Sequence, residues 1–101
     1  MALSLALCLG ALLSGGPPAS AQTKVKTVAT FSILSDLVAE VAGDLAEIST
    51  LVGADVDAHT YQPRPADARA LANARVLVSN GLGFEGWIDR LAKAAPFKGR
   101  A

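Results

Sequence analysis

The chain has 101 residues, 51% of them hydrophobic and 18% charged, and its nine basic and nine acidic side chains cancel. That length holds one small domain at most, and a neutral balance with no basic stripe argues against nucleic acid or an anionic membrane as a partner. A single cysteine excludes an internal disulfide framework, and a single histidine excludes a site made of several imidazoles from this chain alone.

Met1 to Leu13 is almost entirely apolar and uncharged. Ser14-Gly15-Gly16-Pro17-Pro18 then breaks any helix, and Ala19-Ser20-Ala21 has the small-x-small form of a signal-peptidase site. This is the layout of a secretory signal over residues 1–21, with Gln22 as the new terminus after cleavage. No Lys or Arg precedes the apolar run, which fits a start inside a longer signal. The rival reading is a membrane anchor, but a span needs about 20 apolar residues and this run falls short. Cys8 follows Leu7 near the start of the run. A lipid-attachment cysteine belongs at its end, behind a small residue, so Cys8 is expected to leave with the signal. The exported part is then expected in the periplasm, not membrane-spanning, and without thiols or disulfides.

Val25 to Thr30 reads as a first strand, and Ser32 is placed to cap the helix that follows. Ile33, Leu34, Leu37, Val38, Val41 and Ala42 recur with a period of 3.6 on one helical face, and Gly43 suits the left-handed stop. Ala46 to Val52 reads as the second strand. After a loop, Pro65 fits the first position of a second helix, Asp67 favours its positive end, and the alanines from Ala66 to Ala74 favour helix intrinsically. Val76 to Ser79 is a short buried strand. Asn80-Gly81-Leu82-Gly83 is expected to turn into a third helix with Phe84, Trp87, Ile88 and Leu91 inside, ended by Pro96 and Gly99. The order β-α-β-α-β-α predicts an α/β fold with a parallel sheet. Three strands make half of such a domain. The chain stops after a helix where another strand is expected, so residues 22–101 read as the front of a larger lobe.

The loop Asp57-Ala58-His59-Thr60-Tyr61-Gln62-Pro63-Arg64-Pro65 holds the only histidine and should leave the carboxyl end of the second strand, where open α/β sheets carry their ligand sites. Read from its surroundings alone, His59 is either a solvated loop histidine or a metal ligand. Ligation needs a neutral imidazole whose other nitrogen is held, and Asp55, Asp57 or a backbone carbonyl could hold it. Asp57 and His59 are too close along the chain to form a site by themselves. Tyr61 either packs the loop on the sheet edge or shields an ion from water. Gly81-Leu82-Gly83-Phe84-Glu85-Gly86 is a G-x-G-x-x-G run between strand and helix, a context that can cradle a pyrophosphate. It follows the third strand rather than the first, and Glu85 would repel phosphate. No nucleophile–base pair is present, so no enzyme activity is indicated.

Four segments are similar to a known family. They are Thr30-Phe31-Ser32-Ile33-Leu34-Ser35-Asp36-Leu37, Leu51-Val52-Gly53, His59-Thr60-Tyr61-Gln62-Pro63 with Pro65-Ala66-Asp67, and Asn80-Gly81-Leu82-Gly83-Phe84-Glu85-Gly86-Trp87. In that order and spacing they resemble the periplasmic solute-binding proteins of zinc and manganese ABC importers. The resemblance implies a two-lobed α/β receptor with the ion held between its lobes, of which this chain would be the front part of the amino-terminal lobe. It implies that His59 is the first metal ligand, that further ligands come from later in such a chain, and that an ABC-type permease is the partner. A monomer is expected, with zinc, alternatively manganese, as cargo; zinc is favoured because no acidic residue flanks His59 directly. Two positions depart from the family's pattern: Ala58, where proline or glutamate is usual, and Arg64, where threonine or serine would cap better. The alternatives are a truncated, inert remnant of the same family and, more distantly, a dinucleotide-binding domain.

Overall fold

The computed structural model describes residues 23–101; the expected signal and its cleavage site lie outside the described residues. Three parallel strands form one sheet in the order β2-β1-β3. They are β1 (Val25–Phe31), β2 (Ala46–Val52) and β3 (Val76–Val78). Helix α1 (Ser32–Ala42) joins β1 to β2, α2 (Pro65–Ala72) joins β2 to β3, and α3 (Ile88–Ala94) follows. β1 is central, so the two crossovers run in opposite directions. A shared right hand then puts α1 and α2 on opposite faces of the sheet.

Register and alternation sort the side chains between those faces. Val28 faces Leu77 in the β1–β3 ladder, and with Leu51 they build the core beneath Leu71, Trp87, Ile88 and Leu91. The alternate residues Ala29 and Val78 look toward α1. On the core face the burial is thorough: Leu71 is fully buried and Val28 nearly so. At the free edge of β3, Arg100 pairs in parallel with Val76, its carbonyl accepting the Leu77 amide at 2.8 Å.

Several local expectations need correction. Ser32 does not cap α1. β1 runs one residue longer than expected, Phe31 takes the cap position without a side-chain hydrogen bond, and Ser32 becomes the first helical residue. The hydroxyl of Ser35 instead pairs with Thr50 of β2 at 2.5 Å, tying the helix to the neighbouring strand. The apolar stripe of α1 is only partly used. Leu34, Val38 and Ala42 are half-buried, whereas Ile33, Leu37 and Val41 remain exposed, because three strands offer too little surface to cover the whole stripe.

The third helix also begins later than its apolar spacing suggests. Gly81, Leu82 and Gly83 all have positive φ (77°, 57° and 80°), so the backbone cannot wind into a right-handed helix there. Residues 82–87 form successive turns, and α3 starts at Ile88.

Candidate metal centre

With strand order β2-β1-β3, the direction of chain progression reverses at β1, and the carboxyl ends of β1 and β3 flank the crevice where such sheets receive ligands. Phe31 at the end of β1 and Phe84 beyond β3 bring their rings to 5.2 Å there. The imidazole of His59 lies against Phe84, ring centroids 4.2 Å apart and tilted by 54°. The sequence-predicted histidine therefore stands on the expected rim, with its side chain 58% exposed.

The loop carrying it is tied down on both sides. Ahead of the histidine, Trp87 donates its indole N–H to the Ala58 carbonyl at 2.6 Å in a buried contact. Asp57 accepts the backbone amide of His59 at 2.8 Å and places the same carboxylate oxygen 3.4 Å from Nδ1. Behind the histidine, the ring of Tyr61 packs on Trp87, centroids 5.3 Å apart. Its hydroxyl donates to Asp67 Oδ2 at 2.6 Å. Burial, and then the Asp67 carboxylate that takes its hydrogen bond, push the Tyr61 phenol above its ordinary range, so it remains a donor.

Asp67 also solves the capping problem that Arg64 poses. Its carboxylate accepts the Arg64 amide at 2.8 Å, which is the return half of a capping box, while the Arg64 guanidinium sits 3.7 Å away. The buried Asp67 thus joins the histidine loop to the first turn of α2. Pro63 and Pro65 limit the backbone between these anchors.

Beneath Phe84 lies a second buried carboxylate. Glu85, 2% exposed, accepts hydrogen bonds from the Thr30 hydroxyl at 2.5 Å and from the amides of Asn80 and Gly81 at 2.7 and 3.0 Å. Burial alone would raise its pKa. The Thr30 hydroxyl and the backbone amides of Asn80, Gly81 and Glu85 together outweigh burial, and the carboxyl titrates below its ordinary range. The glycine-rich turn therefore spends its amides on its own carboxylate. A pyrophosphate would have to displace Glu85 from them, so the turn is built as a structural bracket between β1 and α3.

Among the described residues, no three His, Cys, Asp or Glu side chains gather into a group able to hold an ion, and no helix is long and apolar enough to cross a membrane. What the rim offers is one outward imidazole with a carboxylate beside its Nδ1. The loop that the sequence singles out carries Asp57, His59 and Tyr61 to this rim, whereas Phe84 and Trp87, expected on a helix, lie in the turns before α3 and contact that loop.

The chain is similar in sequence and fold to known proteins. The metal ABC transporter substrate-binding lipoprotein FimA of Streptococcus parasanguinis is 36% identical over 100 residues, covering 94% of this chain and 32% of that protein. The crystal structure of a zinc-bound deletion mutant of ZnuA superposes with a TM-score of 0.70 at 30% identity, over 77% of this chain and 30% of that one. The manganese-bound periplasmic metal binding protein of Candidatus Liberibacter asiaticus superposes at 0.63 with 38% identity, over 68% and 26%. The chain thus spans about a third of the length of FimA. The profile of zinc-uptake complex component A, periplasmic, matches residues 27–101, from within β1 through α3 and the rim that carries His59, and the chain belongs to that family.

Proposed function

We propose that this chain supplies one wall of a metal-ion receptor and that His59 is its ligand to the ion. The observation that carries the reading is the state of the imidazole: exposed at the sheet's carboxyl rim, on a loop anchored at both ends, with the Asp57 carboxylate near Nδ1. A carboxylate at Nδ1 favours a proton there and leaves Nε2 with the free lone pair that a metal needs. One imidazole cannot hold an ion tightly against water, and zinc takes about four ligands, so the remaining donors come from outside the described residues.

The cargo is a divalent ion, zinc first and manganese second. Imidazole suits zinc, and Asp57 faces Nδ1 rather than standing ready as a further oxygen ligand. Relatives with zinc or manganese bound support both. The function is delivery, without catalysis: the receptor hands its ion to an ABC-type permease. Export to the periplasm by a cleaved signal over residues 1–21 completes the reading, with release rather than lipid anchoring because Cys8 lies near the start of the apolar run. Terminal sequencing of exported material should give Gln22; a lipid-modified Cys8 would reject release.

A chimera tests receptor function directly. Residues 23–101 would replace the aligned third of FimA, and zinc and manganese binding would be titrated by calorimetry. The chimera should bind, and His59→Ala should weaken binding by more than about 100-fold, since even residues that only support a ligand cost 10–100-fold. Undiminished binding by the His59→Ala chimera would overturn the assignment.

A further inference from the structure

The histidine loop and the turn after β3 are 29 residues apart at their closest buried contact, the bond from Trp87 to Ala58. That bond has a geometric consequence. The Ala58 carbonyl and the His59 amide belong to one peptide unit, which is planar. Trp87 holds the oxygen edge of that plane at 2.6 Å, and Asp57 holds its N–H edge at 2.8 Å. With both edges fixed, the Cα of His59 has little freedom, and only its side-chain torsions remain to be set.

The same turn restricts those torsions. Phe84, three residues before Trp87, lies 4.2 Å from the imidazole and is itself backed by Phe31. Between them in the chain, Glu85 fastens the turn to Thr30 of β1. One segment therefore grips the backbone of the histidine with an indole and supports its ring with a phenyl. Its own position is fixed by a buried carboxylate anchored in the central strand.

We propose that Trp87 is a positioning residue for His59, fixing the Ala58–His59 peptide while Phe84 sets the ring, so that the imidazole is presented at the rim before any ion arrives. This rests on the reading of His59 as a ligand. Its physical value is entropic: a ligand already held in place loses less freedom on binding.

Nuclear magnetic resonance of the 101-residue chain decides it, with wild type, Trp87→Phe and Phe84→Leu compared. In the wild type, the His59 amide should have an order parameter near the rigid value of about 0.85, and its ring protons should be displaced by the Phe84 ring current. Trp87→Phe keeps an aromatic ring but removes the donor. It should drop the His59 order parameter below about 0.6 while leaving the order parameters of the β1 amides unchanged. Phe84→Leu should keep the backbone order and abolish the ring-proton displacement. A wild-type His59 already below about 0.6, or a folded Trp87→Phe with unchanged order, would overturn the proposal. If Trp87→Phe does not fold, exchange of the wild-type indole proton decides: slow exchange supports the bond to Ala58, and exchange as fast as free indole rejects it. Zinc added to the same wild-type sample separates the two ideas. Zinc that leaves the His59 ring resonances unmoved would refute the ligand role, whereas the order-parameter result stands or falls by itself.

Discussion

On the face of the sheet that carries α2 and α3, Leu71 is fully buried, and Trp87, Ile88 and Leu91 keep 8% or less of their surface exposed; on the opposite face no residue of α1 is buried, and Val41 keeps 90%. Among the described residues, the core face also holds the carboxylate contacts that tie the rim down, from Thr30 to Glu85 and from Tyr61 to Asp67. The α1 face holds an open apolar groove of about 270 Å³ between Leu34, Leu37, Val38, Val41, Ala42 and Val78. Among the described residues, tight packing and buried hydrogen bonds gather under the histidine. Apolar surface on the other side is left largely wet, and it contributes little to holding the rim.

Substitutions on the two faces should therefore differ by several-fold in cost. Leu71→Ala should be the most damaging, removing about 2–5 kcal/mol of stability in urea or thermal unfolding. That is comparable to the whole stability of a domain this small, so loss of folding is an accepted outcome. A cost below about 1 kcal/mol would show that the core face is less tightly packed than its burial implies.

Glu85→Gln should come next, at about 1.5–3 kcal/mol, since it replaces a charged acceptor of hydrogen bonds by a neutral amide. Its pH signature is more telling than its size. The folded-state pKa lies below the ordinary value, so Glu85 contributes stability that is complete above the ordinary glutamate pKa of about 4.5 and is lost as pH falls through the lower folded value. Acid titration of stability should show that falling limb in the wild type and a shallower one in Glu85→Gln. Identical acid limbs would mean the carboxylate is not held as described.

On the α1 face the effects should shrink. Leu34→Ala, at a half-buried position against the sheet, should cost about 1–2 kcal/mol. Val41→Ala should stay within about 0.5 kcal/mol, as exposed positions do. If Val41→Ala costs more than Leu34→Ala, the wet face is covered in solution and the contrast between the two faces fails.

The strands were legible because their apolar content is bounded by turn residues, and their alternation with helices pointed to the parallel sheet that the structure has. His59 was legible for a simpler reason: it is the only histidine, just past the second strand, at the edge that such sheets use. Its supports were not. Nothing local links Trp87 to Ala58 or Phe84 to His59, since each pairing exists only once the turn after β3 has docked on the rim. The late start of α3 was hidden in the same way. Phe84, Trp87 and Leu91 have plausible helical spacing, but Gly81-Leu82-Gly83 adopts left-handed backbone and Glu85 satisfies the freed amides from four and five residues away. A buried acid shortly after a glycine pair was the available signal, and it read as a repulsive charge rather than as a bracket. The Ser32 cap failed by one residue of strand length, and the α1 stripe failed because periodicity reports a face without reporting what is present to cover it.

Whether a metal ion meets this chain at His59 is open to direct measurement. Zinc titrated into the isotopically labelled 101-residue protein, followed at the histidine ring nitrogens, tests it most directly. Binding should be weak and saturable, move Nε2 far more than Nδ1, and disappear in His59→Ala. Tight zinc binding that persists in His59→Ala, or perturbation centred on other residues, would contradict it.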